Sequence, residues 1–271
     1  MKEQIRQIID SASDRLRARS LVQEYCQARI LQFLQESSVF QSWIFHGGTA
    51  LRFLYSLPRY SEDLDFAVKN HAAPLQFRGI IVKTCRSFEA EAYRVEARIS
   101  ERSVVKSAFI HFQGLLYELG LSPRQNELLS VKVEVDSHPP SGGITETSVV
   151  RRYVVLNLLH YDKSSFLSGK LHAILARPYV KGRDLYDLLW YLSDPSWPGP
   201  NIPFLNEAMR QTQWNGPNIT DYNWAQITTE QLESIDWTEA VKDIHPFIER
   251  PADLNLLTKD NVLKLLKARQ L

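Results

Sequence analysis

The stretch from Trp43 to Val68 constrains the fold more than any other part of the chain. It begins with a short apolar run, typical of a buried strand, and continues into a Gly47-Gly48 pair. Glycine accepts backbone conformations that other residues avoid, so the pair predicts a tight turn whose backbone another group can approach closely. The residues that follow have apolar side chains at helical spacing, with Thr49 as the predicted N-cap, and Pro58 ends that helix.

A second strand is predicted from Ser61 to Val68, and its chemistry is distinctive. Because side chains alternate along a strand, Asp63 and Asp65 share one face and Leu64 and Phe66 the other. Paired carboxylates are hard oxygen ligands suited to Mg²⁺, and N–H groups at a helix start bind phosphate. The combination predicts metal-assisted phosphoryl or nucleotidyl transfer. The alternative is an ordinary hairpin whose Asp-x-Asp edge is only solvated.

Composition narrows the class of protein. The chain has 271 residues, 44% of them hydrophobic, which allows one large or two small domains with a core. Its net charge of +1 creates no global basic field, so an RNA contact would need a local patch. Cys26 and Cys85 form no disulfide framework and no C-x-x-C motif. These features, with no signal-peptide core or membrane-length apolar run, predict a soluble cytoplasmic protein.

Four arginines lie in the N-terminal region, where the spacing of apolar residues predicts helical structure over residues 3–36. Two interpretations of them stay open: a solvated helix face, or a patch that binds RNA. The four residues are Arg15, Arg17, Arg19 and Arg29.

The segment G-G-T-A-L, a helix and then R-x-S-x-D-x-D-F resembles the first motif of the AbiEii/AbiGii-type toxins. These are nucleotidyltransferases of the DNA-polymerase-β-like superfamily, found in bacterial abortive-infection and toxin–antitoxin systems. Gly47-Gly48 stands where the wider superfamily has Gly-Ser. The resemblance implies that Gly47, Gly48, Thr49 and Ser61 contact the nucleotide.

The resemblance also implies a third metal ligand on a central strand after the Asp-x-Asp strand. A strand is predicted from Leu128 to Asp136, with a clean alternation from Val131 to Val135, and toxin relatives commonly have K-x-E there. Lys132-Val-Glu134 fits that pattern, so Glu134 is the expected ligand and Asp136 the alternative. An ordinary half-exposed strand with alternating charges would look the same.

A second constellation lies in the C-terminal half, at Lys170 and in the segment Lys181-Gly-Arg-Asp-Leu-Tyr-Asp187. It resembles the later toxin motifs, in which a Lys and an Asp complete the site, and those roles fall on Lys170 and Asp184. A Lys is a compact charge suited to polyphosphate. Structural alternatives are that Asp184 caps a helix and that Asp187 pairs with Arg183 one helical turn away.

The fold class expected is α/β (α+β): a polymerase-β-like nucleotidyltransferase core with a mixed sheet, a helical N-terminal segment and a helical C-terminal domain. The expected boundaries are 1–160 for the nucleotidyltransferase domain and 161–271 for the helical domain. Residues 149–159 are predicted as one further strand or an extended connection. Ser164 is the expected N-cap of a helix that runs to Ala176.

The resemblance implies that the chain transfers a nucleoside monophosphate from an NTP to an acceptor hydroxyl, with Mg²⁺, or Mn²⁺ in its place, held by Asp63, Asp65 and Glu134. Relatives act as toxins by modifying tRNA, and their operon partner is an AbiEi-like antitoxin. The acceptor itself stays open between tRNA, a protein hydroxyl and a small molecule. A binding module that keeps the motif without turnover is the non-enzyme alternative.

Overall fold

The computed structural model describes residues 2–70 and 75–270. The chain divides into two compact units. The first comprises residues up to 56, 60–138 and 147–160, and the second comprises 57–59, 139–146 and the residues from 161 onward.

A mixed seven-stranded sheet forms the framework of the first unit. In chain order its strands are β1 (Trp43–His46), β2 (Asp63–Val68), β3 (Val95–Ser100), β4 (Val105–Gln113), β5 (Leu128–Asp136), β6 (Thr145–Arg152) and β7 (Val154–Tyr161). Across the sheet the order is β3-β4-β5-β2-β1-β7-β6. β2 runs parallel to β5 and β1 parallel to β7, whereas β1–β2, β3–β4 and β4–β5 are antiparallel.

The two faces of the sheet differ because apolar and polar residues alternate along its central strands. On β2 the inward residues Leu64 and Phe66 are buried, and on β5 Val131, Val133 and Val135 are fully buried. The opposite face carries the acidic and basic side chains of the same strands. The predicted pattern at the Asp-x-Asp strand is therefore confirmed.

Several α-helices accompany the sheet in the described part of the first unit: α1 (Lys2–Ile9), α2 (Arg15–Glu36), α3 (Gly47–Tyr55), α4 (Phe77–Ala90) and α5 (Leu115–Glu118). α2 is buried on all sides over residues 24–28, and its Phe33 meets Phe88 of α4 edge-on at 4.9 Å. The sequence Ser11-Ala-Ser13 predicts a break in the N-terminal helix and an N-cap there. The break is confirmed, but the N-cap is Asp14, which accepts a hydrogen bond from the Arg17 N–H. The sequence predicts an amphipathic helix from Pro74 to Tyr93, which corresponds to α4, and Pro74 itself lies outside the described residues.

Helices dominate the second unit: α6 (Lys163–Ala176), α7 (Gly182–Ser193), α8 (Ile202–Gln211), α9 (Trp224–Glu233), α10 (Trp237–Ile244) and α11 (Lys259–Lys267). Short 3-10 turns at His245–Phe247 and Pro251–Leu256 separate the last two helices, where prolines prevent a continuous helix. α7 packs tightly on α10, since a Cβ on Gly182 would overlap the Ala240 carbonyl oxygen.

The expected mixed α/β architecture with its helical N-terminal segment and C-terminal helices is confirmed, and three local predictions are corrected. Residues 149–159 belong to two strands, β6 and β7, because Tyr153 takes a left-handed turn with φ +62° between them. Asp162, not Ser164, caps α6 and accepts from the Ser165 N–H. Thr49 lies inside α3, whose N-cap is His46. No helix in the described ranges is both long and apolar enough to cross a membrane.

Candidate active site

Asp63 and Asp65 lie on the polar face of β2, beside the polar residues of β5. In the parallel register Asp63 is opposite Lys132 and Asp65 is opposite Glu134. On the other side of β2, Asp65 is opposite His46 at the end of β1. Strand alternation therefore places on one face three of the carboxylates singled out in the sequence, all within the first unit.

The two aspartates create an unfavourable local charge. Burial and, after it, the negative charge of Asp65 raise the pKa of Asp63 to about 6, against an opposing effect of Lys132. A carboxyl pair that is both desolvated and mutually repulsive holds an ionised form poorly without an added cation. The site therefore favours binding of a positive ion.

Glu134 is the third carboxylate of this face and forms an ion pair. Its Oε1 lies 2.8 Å from Lys132 Nζ, and both side chains are partly exposed. Burial alone would lower the pKa of Lys132, but the hydrogen bond to Glu134 and the surrounding carboxylates raise it. Asp136, the alternative ligand, lies two residues further along β5, opposite Ala67.

The donor set fits a divalent cation such as Mg²⁺, because Asp63, Asp65 and Glu134 offer hard oxygens from adjacent strands. Within residues 2–70 and 75–270, no three His, Cys, Asp or Glu side chains already converge as a metal site. Glu134 pairs with Lys132 instead, so joining a shared ion would require it to turn away from that lysine. Lys132 thus belongs to the site as the partner of Glu134, a role that could not be predicted from the sequence.

Gly47 begins α3 at the edge of this carboxylate face. Its φ of +77° is in the left-handed region, and a Cβ there would overlap Asp65 Oδ2 and come within 3.0 Å of Asp65 Cγ. His46 is the N-cap, and its side chain makes no capping hydrogen bond with the described residues. The first N–H groups of α3, including those of Gly48 and Thr49, therefore lie beside the acidic strand.

Hydrogen bonds hold the start of β2 against two helices. The Thr49 hydroxyl is fully buried and donates to the Asp63 carbonyl at 2.5 Å. From α2, Gln27 donates to the Ser61 carbonyl at 2.9 Å and Gln23 to the Glu62 carbonyl at 3.2 Å. The hydroxyl of Thr49 thus serves to position Asp63.

Lys170 and Asp184 lie in the second unit, within a buried ionic network. Lys170 Nζ is 3.0 Å from Asp184 Oδ1 and 2.6 Å from Asp187 Oδ2. Asp184 also accepts from Arg177 at 2.6 Å. The structure thus brings Lys170 and Asp184 together, as the sequence reasoning grouped them.

Arg59 completes this network and is a residue whose role the sequence reasoning missed. Its Nε and Nη2 donate to the two carboxylate oxygens of Asp187, each at 2.6 Å, and both side chains are buried. Glu249 N–H also donates to the Pro58 carbonyl at 3.2 Å. These contacts explain why residues 57–59 belong to the second unit. The sequence did offer one signal for Arg59, because it is the Arg of the R-x-S-x-D-x-D motif.

The interpretation of Asp187 as an ordinary helix-surface partner of Arg183 is wrong, because its carboxylate is fully buried between Arg59 and Lys170. Burial alone would lower the pKa of Lys170, but Asp187 and Asp184 outweigh it and raise that pKa. Burial likewise would raise the pKa of Asp184, but Lys170 and Arg177 lower it. The network therefore favours the charged forms of Lys170 and Asp184.

The arginines of the N-terminal helix have contacts within the first unit. Arg19 pairs with Glu127 and Arg29 with Glu91. Arg15 Nε donates to the Leu121 carbonyl at 2.8 Å, and the Arg17 guanidinium lies 5.5 Å from the centre of the Tyr60 ring. Packing and ion pairing account for these side chains, which weakens their interpretation as an RNA patch.

Comparisons with known proteins agree with this geometry. A family profile described as "Nucleotidyl transferase AbiEii toxin, Type IV TA system" matches residues 29–259. The solved structure of the nucleotidyltransferase toxin MenT4 from Mycobacterium tuberculosis is similar, with a TM-score of 0.56, 13% identity, and coverage of 98% of this chain and 89% of that one. JHP933 from Helicobacter pylori is similar with a TM-score of 0.55, 16% identity, and coverage of 93% and 91%.

A search of curated proteins returns no match. At such low identity the solved structures establish the fold alone, whereas the profile spans most of the chain. The resemblance seen in the first motif is confirmed, and with it nucleotidyltransferase activity on an NTP and membership of a system that includes an antitoxin. The chain belongs to the AbiEii family of nucleotidyltransferase toxins of type IV toxin–antitoxin systems.

Proposed function

We propose that this protein transfers a nucleoside monophosphate from an NTP to a hydroxyl of tRNA in a Mg²⁺-dependent reaction. The observation that carries the proposal is the pair Asp63 and Asp65, which share a sheet face with Glu134 and adjoin Gly47 at the start of α3. In the reaction the acceptor oxygen bonds to the α-phosphorus and the bond to the β-phosphate oxygen breaks. Pyrophosphate leaves, and the hydroxyl proton passes to water.

Asp63, Asp65 and Glu134 would hold the ion, whether Mg²⁺ or Mn²⁺. When bound, it supplies charge neutralisation at the triphosphate and lowers the pKa of the attacking hydroxyl. The raised pKa of Asp63 supports this role, because a cation offsets both the burial of this carboxylate and its repulsion by Asp65. The chain's own contribution is to fix two carboxylates on one strand and a third in register with them.

The first turn of α3 would bind the triphosphate, through the N–H groups of Gly47, Gly48 and Thr49. Unsatisfied N–H groups and the helix dipole both favour a phosphate at that end of a helix. Ser61, immediately before β2, would contribute a further contact. These assignments follow the family motif and the position of α3 beside the carboxylates.

Gly47→Ala is expected to reduce transfer by about 100-fold, because displacing a positioning group by about 1 Å costs that much. The added Cβ would push Asp65 aside and strain the left-handed backbone. The measurement is the initial rate of label transfer at saturating NTP. Gly79→Ala is the matched control, since a Cβ there meets nothing within 4 Å. An unaffected Gly47→Ala rate would refute the assignment.

Lys170 would neutralise the charge that develops on the leaving pyrophosphate, with Asp184 positioning its ammonium. The support within the second unit is that Asp184 and Asp187 keep this lysine protonated. Lys170→Met is expected to slow the chemical step by about 100- to 1000-fold, as loss of an oxyanion donor does.

Single-turnover rates test the Lys170 assignment. Lys170→Arg should recover only part of the rate, because a planar guanidinium does not occupy the same point. Each aspartate keeps an arginine partner in Lys170→Met, so that variant should stay folded. A normal single-turnover rate would transfer the role to Lys181 or Arg177.

The acceptor and partner are proposed from the family. tRNA is the proposed acceptor, and an AbiEi-like antitoxin from the same operon is the proposed partner, with the cytoplasm as the place of action. Nucleotidylation of a protein or small-molecule hydroxyl is the second candidate, and a silent binding module the third.

Two labelled nucleotides separate these functions. Incubation with Mg²⁺, total cell RNA, protein extract and an NTP labelled at the α-phosphate should place label in the tRNA fraction. The same NTP labelled at the γ-phosphate should leave the acceptor unlabelled, because that label departs in pyrophosphate. Label confined to protein or small molecules supports the second candidate, and no transfer of either label supports the third. Transfer of the γ-label would identify phosphoryl transfer instead.

A further inference from the structure

Two neighbouring aromatic side chains, Phe109 and His111, lie on the same sheet face as the carboxylates. Phe109 of β4 is 41% exposed, although a phenyl ring on a strand is usually buried. His111 stacks beside it, with ring centres 6.1 Å apart and planes only 6° from parallel. His111 is in turn held by Ser130 of β5, with Nδ1 2.7 Å from the hydroxyl oxygen. Phe109 therefore presents an exposed ring beside a histidine ring that Ser130 fixes, and these two residues are called the aromatic platform below.

Strand register gives the distance of this platform from the carboxylates. Phe109 is opposite Lys132 on β5, and Lys132 is opposite Asp63 on β2. Neighbouring strands are about 4.8 Å apart, so Phe109 is roughly 10 Å from Asp63 across the sheet. One nucleotide spans a distance of that order.

The aromatic platform and the first turn of α3, which is the proposed triphosphate site, lie on opposite sides of the carboxylates. Gly47 follows β1, and the sheet order places β2 and β5 between β1 and β4. A triphosphate at the start of α3 would therefore occupy the β1 side. The β4 side is left for the molecule that supplies the hydroxyl.

We propose that Phe109 and His111 stack against the terminal base of a single-stranded RNA acceptor and so deliver its hydroxyl to the carboxylates; this rests on the proposed function. Aromatic faces hold bases of any sequence by stacking. Lys132 Nζ, 5.7 Å from the centre of the Phe109 ring, adds a cation next to the stack. Arg98, opposite Phe109 on β3, is exposed and forms no ion pair within the described chain. Its guanidinium would meet the RNA phosphates.

The test combines binding and kinetics of the full-length protein. The binding probe is a fluorescent single-stranded oligoribonucleotide with a free 3′ hydroxyl, measured by anisotropy without NTP or metal. Phe109→Ala should weaken binding by about 5- to 150-fold and raise the KM for the RNA acceptor similarly, with the KM for NTP unchanged. Phe109→Trp should bind like the wild type, because it keeps a stacking face.

Tyr117→Ala is the matched control: Tyr117 is an aromatic residue of the first unit, 50% exposed on α5 rather than on β4. It should bind RNA and transfer nucleotide as the wild type does. Equal RNA affinity of Phe109→Ala and wild type would overturn the platform, whatever the transfer assay gives. Phe109-dependent binding with no label in RNA would instead uphold the platform and reject the proposed reaction. A Phe109→Ala defect seen only with protein acceptors would overturn the assignment to RNA.

Discussion

Asp63→Asn is expected to reduce nucleotidyl transfer by at least about 10³-fold, because loss of one carboxylate of the pair removes several kcal/mol of transition-state stabilisation. The amide keeps the shape of the side chain but not its charge, so a divalent ion loses an anionic ligand. Asp65→Asn should behave in the same way. The measurement is label transfer from an α-labelled NTP at a fixed Mg²⁺ concentration.

Asp63→Asn should also be folded and slightly more stable than the wild type in metal-free buffer at neutral pH. The pKa of Asp63 is raised in the folded protein, so its ionised form opposes folding, and the opposition grows as the pH rises from 3.8 to about 6. Asn has no such charge. We expect a melting temperature about 2–4 °C above that of the wild type, with the difference vanishing in acid below that window.

Asp10→Asn, which changes an exposed aspartate of the first unit, is the matched control and should alter neither rate nor melting. A normal rate in Asp63→Asn would refute the carboxylate assignment. A lower melting temperature at neutral pH would show instead that Asp63 stabilises the fold.

Asp187→Asn is expected to destabilise the second unit by about 3–5 kcal/mol, because removing one partner of a buried ion pair leaves the other charge uncompensated. Here two cations, Arg59 and Lys170, would lose a common carboxylate. Thermal or urea unfolding measures the loss. Glu207→Gln is the control, because its partner Arg210 is highly exposed and such pairs contribute about 0–1 kcal/mol.

A double variant sharpens this prediction. Adding Lys170→Met to Asp187→Asn removes one of the two stranded cations, so the double variant should be more stable than additivity predicts. Additive losses would show that Lys170 and Asp187 do not interact. Wild-type stability of Asp187→Asn alone would contradict the buried network.

The first motif could be predicted from the sequence because its information is local. A strand, a glycine turn, a helix and an alternating strand follow one another within residues 43–68, and strand alternation alone puts Asp63 and Asp65 on one face. The prediction of Thr49 as the N-cap of α3 was wrong for an equally local reason. The helix starts at Gly47 in a left-handed conformation, so Thr49 falls inside it.

Long-range partners could not be predicted in this way. Arg59 and Asp187 are 128 residues apart in sequence, and nothing in the spacing of either joins them. Asp187 has Arg183 one helical turn before it, so the local interpretation was plausible and wrong. The exposure of Phe109 could not be predicted either, because an aromatic residue in an apolar strand is expected in the core. Only the strand register shows that it shares the face of Lys132 and Asp63.

The intact mass of tRNA after incubation tests the central claim most directly, namely that the carboxylate face of β2 and β5 adds nucleotides to RNA. Total tRNA would be incubated with NTPs, Mg²⁺ and either wild type or Asp63→Asn, and then analysed by mass spectrometry. We predict a gain of one or more whole nucleoside monophosphates with the wild type and none with the variant. Unmodified tRNA from the wild-type reaction, or an equal gain from Asp63→Asn, would contradict the account.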